Sequence, residues 1–88
     1  MSGKLTREEL LVLLIEECAE VTKAATKCLR FGWDRDHPGY GVNHKILAGE
    51  YGELTAVANA LKLDRDEIAL GRMSKIARAE LAKKEFGV

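Results

Sequence analysis

The sequence predicts an all-α, single-domain fold over residues 1–88, with about three helices per chain and a core completed by oligomerisation. Three observations predict it. Apolar residues recur at helical spacing along three segments, and no alternating tract reads as a strand. Helix-start signals stand at Thr6-Arg7-Glu8-Glu9 and at Asp64-Arg65-Asp66-Glu67. Finally, Leu10-Leu11-Val12-Leu13-Leu14-Ile15 is apolar through more than a full turn, so every side of it needs cover. A chain of 88 residues buries a smaller share of its surface than a longer one, which leaves a second copy as the source of that cover.

The first helix is expected at about 7–31, opened by a capping box in which Thr6 and Glu9 satisfy each other's free backbone N–H groups and closed by Gly32. The stretch from Gly32 to Gly41 carries three glycines and the only proline, which predicts a turn-rich loop. Asn43 is a candidate N-cap for a second helix over about 44–62, in which Gly49 and Gly52 weaken the first turns and leave room for another backbone. Asp64 caps a third helix that continues to about residue 84. It reads as a cover helix with a broken apolar stripe, Ile68, Met73, Ile76, Leu81 and Phe86, and with basic residues elsewhere.

Composition removes several functions. Lys and Arg total 14 against 14 Asp and Glu, so no basic field invites duplex nucleic acid. The apolar run is too short to span a bilayer and ends in Glu16-Glu17. With no signal-peptide pattern at the N-terminus, a cytoplasmic location and no membrane partner are expected. Cys18 and Cys28 lie ten residues apart on one expected helix, about 15 Å at 1.5 Å per residue, and cannot bridge each other. They read as two packed, reduced thiols.

The unusual feature is the placement of carboxylates. Glu16-Glu17-Cys18-Ala19-Glu20 and Glu50-Tyr51-Gly52-Glu53 each sit inside a segment that otherwise reads as a buried helix. Residues three apart on a helix are neighbours, so Glu17 with Glu20 and Glu50 with Glu53 project as pairs. If the helices pack face to face, four carboxylates converge. Unit charges about 5 Å apart repel by roughly 3 kcal/mol at an effective dielectric near 20, and a divalent cation is the simplest remedy. If the acids instead face solvent, the repulsion falls below about 1 kcal/mol and no ion is needed. Against a solvated face, the acids follow Ile15 directly and Ala24 and Phe31 continue the face of Glu17 and Glu20. An all-Glu donor set suits a hard cation, Mg²⁺ with Mn²⁺ as the alternative, and phosphate chemistry is its natural use. A di-iron centre would want Glu-x-x-His motifs, whereas both motifs here are Glu-x-x-Glu.

With these residues in place, the chain resembles the MazG-like all-α nucleoside triphosphate pyrophosphohydrolases, whose signature runs EExxE…ExxD. The likeness covers about the first two-thirds of the chain, with a weaker echo at Lys75-Ile76-Ala77-Arg78. It implies a homo-oligomer, dimer or tetramer, whose helices pair into a four-helix core. It also implies Mg²⁺-dependent cleavage of a nucleotide to the monophosphate and pyrophosphate. Carried over residue by residue, Glu17, Glu20, Glu50 and Glu53 become metal ligands, and Glu16 helps to place the attacking water or a second ion. Glu16, Glu17 and Glu20 form the catalytic set. One position departs: Glu53 stands where the family has aspartate, and a shift of about 1 Å in reach costs roughly 10²-fold in rate if uncorrected. The competing readings are a phosphoribosyl-ATP pyrophosphohydrolase and a catalytically silent helical assembly module.

Four further residues are candidates for the substrate. Lys23 and Lys27 continue the helix face of Glu20 and either touch phosphate or extend from the helix as surface lysines. Trp33 either stacks on a base or pins the loop beside Phe31. Lys75 stands where the resemblance places a lysine of the following helix. His37 and His44 are expected to face solvent.

Overall fold

The computed structural model describes residues 3–87. Helix α1 (Arg7–Phe31) is followed by strands β1 (Asp36–His37) and β2 (Gly41–Val42), then helices α2 (Asn43–Ala60) and α3 (Arg65–Phe86). The all-α class holds. Among the described residues no helix is long and apolar enough to cross a membrane.

The start of α1 follows its capping box: the Thr6 hydroxyl accepts from Glu9 N–H at 3.1 Å, and Thr6 N–H donates to Glu9 Oε1 at 2.8 Å. The chain leaves α1 at Gly32, whose φ of 116° is open to glycine alone at little cost. The segment expected to be a loop is instead a small antiparallel ribbon, with Asp36 opposite Val42 and His37 opposite Gly41. Its tip is a type II turn: Pro38 occupies the second position, Gly39 with φ 85° the third, and Tyr40 N–H donates to His37 O at 2.8 Å.

Asn43 does not cap α2. It is the first residue of the helix, only 3% exposed, and its Nδ2 donates to Gly32 O at 3.0 Å. The capping role passes to the preceding loop, where Arg35 O accepts from Asn43 N–H at 2.9 Å and Trp33 O from His44 N–H at 3.1 Å. These bonds tie the beginning of α2 to the end of α1. Lys62, at φ 55°, turns the chain out of α2, and Asp64 Oδ1 accepts from Glu67 N–H at 2.9 Å to start α3 as expected.

Helices α1 and α2 pack along a common seam. On α1 the covered positions include Leu10, Leu14, Glu17, Val21, Ala24 and Cys28; on α2 they include Leu47, Glu50, Leu54 and Val57, continued by the C-cap Leu61. Both sets step alternately by four and three, the spacing of a coiled-coil seam. Lys27 shares a groove with Ile46, while Glu17 meets Glu50 and Glu53, so the helices run antiparallel. The Leu10–Ile15 run divides accordingly. Leu10, Leu13 and Leu14 are half-covered, whereas Leu11, Val12 and Ile15 are exposed. Phe31 also lies exposed rather than continuing the covered face.

Helix α3 has no extensive packing against either. Among the described residues its apolar stripe, apart from Ile68 beside the end of α2, stays largely uncovered. Only Ala24 and Asn43 are fully buried among the described residues. The radius of gyration, 16.3 Å, exceeds the roughly 12 Å of a compact chain of this length.

Candidate functional site

The seam carries two acids where apolar residues would be expected. Glu17 occupies the middle of the α1 seam and Glu50 that of α2, and Glu53, one turn further along α2, completes a triad. One carboxylate oxygen from each lies within 4.8 Å of the other two. Glu17 and Glu50 are half-buried and Glu53 is exposed. Glu17 Oε2 is shielded from solvent and no donor reaches it. Partial withdrawal from water, followed by the nearness of Glu53, Glu50 and Glu20, raises the Glu17 carboxyl above the usual carboxylate range. The Glu50 carboxyl is raised as well, again first by withdrawal from water and then by Glu53 and Glu20, with Lys23 opposing. Glu17 and Glu53 can hydrogen-bond only when one of them holds a proton, since two carboxylates offer acceptors and no donor.

A shielded oxygen without a donor, inside a set of carboxyl groups and nothing else, fits a hard divalent cation. Glu17, Glu50 and Glu53 are therefore the residues able to hold a metal ion. Glu20 is not in this triad. It is exposed, stands beside Glu50 on the adjoining groove, and acts on the triad through its charge. Glu16 is exposed and joins neither the triad nor the groove.

The groove has a volume of 270 Å³ and extends from the acidic end along α1. Glu20 and Glu50 form one side, Lys23 and Lys27 follow, and His37 with Tyr40 reach in from the ribbon. Among the described residues, no carboxylate oxygen lies within 4.0 Å of either lysine ammonium. Ammonium groups beside a carboxyl cluster, with no ion pair closed between them, give the groove two electrical ends.

Protein-family models, curated proteins and solved structures offer no match to this chain. The arrangement itself therefore carries the chemistry. An acidic end able to take a cation, a basic middle and an aromatic end suit a ligand that is polyanionic at one end and planar at the other.

Of the residues singled out in the sequence, Glu17, Glu50 and Glu53 come together, and Glu20, Lys23 and Lys27 line the adjoining groove. Trp33 stands elsewhere. Its ring stacks on His44 with centroids 5.3 Å apart and planes 16° apart, and His44 Nε2 is 3.8 Å from Asp34 Oδ1. The backbone bond between His44 and Trp33 sets the two rings in register. Lys75 lies on α3 and is not brought to the groove. His44 and His37 are half-covered rather than solvent-facing. His37 and Tyr40 are groove residues that the sequence reading missed. The available signal was a Pro-Gly turn flanked by two aromatic side chains, which places both on one ribbon tip.

Proposed function

We propose that the chain is a Mg²⁺-dependent nucleotide pyrophosphohydrolase of the MazG-like kind, cleaving the α–β phosphoanhydride of a (deoxy)nucleoside triphosphate. The observation that carries this reading is the convergence of Glu17, whose Oε2 is shielded and donorless, with Glu50 and Glu53, next to two lysines that close no ion pair. Glu17, Glu50 and Glu53 hold the ion, with Glu20 at its edge. The bound ion supplies charge neutralisation on phosphate oxygens. Lys23 and Lys27 bind and orient the phosphates by charge-assisted hydrogen bonds. Glu20, exposed at the groove side, accepts the proton of the attacking water as that water adds at the α-phosphorus and pyrophosphate leaves. Glu16, outside both triad and groove, has no part in this scheme.

The proposed working form is a homo-oligomer. The chain exposes 7544 Å², whereas a compact protein of 9.7 kDa exposes about 5,100 Å². The excess, about 2,400 Å² per chain, is of the size that obligate interfaces cover. It includes a second stripe on α1, Leu11, Ile15, Cys18, Ala25 and Leu29, with Ile15 70% and Leu29 88% exposed. The same exposed stripes favour, as a second reading, an assembly module without turnover.

Pyrophosphate release from a panel of nucleoside triphosphates and phosphoribosyl-ATP, in Mg²⁺, tests the proposal. Wild-type protein should release pyrophosphate. Glu17→Ala should lower the rate by on the order of 10²-fold, as for loss of a charge-stabilising group, and Glu53→Asp should preserve or raise it. Wild-type protein silent on every substrate would leave the assembly reading standing.

A further inference from the structure

The groove has a far end that neither the ion nor the phosphates require. Glu20 and Lys27 are seven residues apart on α1, a rise of about 10 Å. Beyond Lys27 the wall passes from α1 to the ribbon, and the side chains change from charged to aromatic. Between the two ends Ala24 and Ile46 give an apolar floor.

We infer that the His37–Tyr40 pair seats the base of a nucleotide whose phosphates run along Lys27 and Lys23 towards the Glu17–Glu50–Glu53 carboxylates. This rests on the nucleotide reading above and adds to it which end of the groove takes which end of the ligand. The two rings are 5.0 Å apart at 60°, an edge-to-face arrangement in which His37 steadies Tyr40 without covering it. Tyr40 remains 75% exposed, so a planar group can still lie against its ring. The type II turn and the ribbon hydrogen bonds tie the backbone of both residues into one short tip, which lowers the ordering cost on binding. Trp33, the larger ring, does not line the groove, and one of its faces is stacked on His44. Stacking on a side chain of this kind is tolerant of base identity, since every base has a π-face.

Calorimetric titration in Mg²⁺ separates the base seat from the phosphate site. The ligands are inorganic triphosphate and the α,β-imido analogues of the four deoxynucleoside triphosphates, each against wild type, Tyr40→Ala and Tyr40→Phe. In wild type at least one nucleotide should bind roughly 5- to 150-fold more tightly than triphosphate, the range that one stacked base contributes. Tyr40→Ala should erase that difference and Tyr40→Phe should keep it, with triphosphate affinity equal in all three. Nucleotide preference that survives Tyr40→Ala, or a wild type that binds triphosphate as tightly as every nucleotide, would overturn the base seat and leave the pyrophosphohydrolase reading intact. A wild type that binds none of the ligands would remove both. Because Tyr40 is an exposed turn residue, its replacement leaves the helices their own caps and seam.

Discussion

The hairpin of α1 and α2 and the solitary α3 are helices specified in two different ways. In the hairpin, the seam positions match between two helices, and the ribbon bonds hold their ends together. In α3 everything that favours the helix is local. Asp64 caps its start, Asp66 and Glu67 lie in the first turn, Lys83 and Lys84 in the last, and Gly87 at φ 71° closes it. Each sign agrees with the helix dipole. Yet Met73, Ile76 and Phe86 are 75%, 63% and 74% exposed. Local signals decide that a helix forms, while only a partner decides where it goes. Within the described residues, α3 and the outer stripe of α1 have no such partner, and the proposed oligomer would supply one.

A charge placed on each side of one turn should have the largest effect. Leu14 is half-covered on the seam, and its neighbour Ile15 is 70% exposed. Leu14→Lys should cost about 2–5 kcal/mol, a large share of the roughly 5–15 kcal/mol of a typical domain, and should unfold the hairpin. Ile15→Lys should leave the helices formed but release monomers. Circular dichroism and sedimentation at micromolar concentration, run on both variants, separate the outcomes. If the wild type sediments as a stable monomer, the outer stripe has no partner and the contrast collapses.

A smaller effect contrasts acids on the two regions. Mg²⁺ at 100 times its Kd should stabilise the wild type by about 2.7 kcal/mol through mass action. Glu17→Gln should lose most of this gain, whereas Glu80→Gln, exposed on α3, should keep it. Thermal melts in EDTA, Mg²⁺ and NaCl of equal ionic strength decide, because simple screening would make Mg²⁺ and NaCl equivalent. The metal-free protein gives a second reading from pH. Glu17 and Glu50 are raised above the ordinary value of 4.5, so near their titration the folded state binds more protons than the unfolded state. Stability is accordingly lower above the folded pKa values and rises as pH falls through them towards 4.5. In EDTA the wild-type Tm should therefore be higher in mild acid than at neutrality, once the Glu17→Gln baseline is subtracted.

The smallest effect is at the caps. Thr6→Ala and Asp64→Ala should each cost about 1 kcal/mol. Amide exchange should quicken in both α1 and α2 for Thr6→Ala, because the two share a seam, and in α3 alone for Asp64→Ala. Equal spread of the Asp64→Ala effect into α1 would show that α3 is coupled to the hairpin after all.

The start and end of α1 and the start of α3 were legible because Thr6 and Asp64 cap with their own side chains and Gly32 supplies the backbone freedom to leave the helix. The pairing of Glu17 with Glu50 and Glu53 was legible for a related reason: helical spacing fixes which acids share a face. Glu20 shares that spacing but lies one step round the helix, at the groove rather than in the triad. Spacing alone could not separate those positions. The ribbon escaped because two-residue strands leave no alternation to read, and Asn43 looked like a cap because a buried amide and a capping amide are the same residue type. The separation of α3 was invisible for a deeper reason. A stripe such as Ile68, Met73 and Ile76 reads identically whether it covers a neighbouring helix of the same chain or one of another copy.

Asn43 has a consequence that reaches the carboxylates from the other end of the seam. It occupies the first position of the α2 pattern, where Leu47 and Glu50 follow at four and three residues, and its amide is locked to Gly32 O at the end of α1. A seam of similar aliphatic residues tolerates sliding by a turn, which would carry Glu50 about 5.4 Å past Glu17. A single buried amide with one available acceptor removes that freedom, as a lone polar residue does in a coiled coil. Asn43 is thus the zero mark of a ruler: it forms no part of the site, yet it sets where along the two helices the three acids come level.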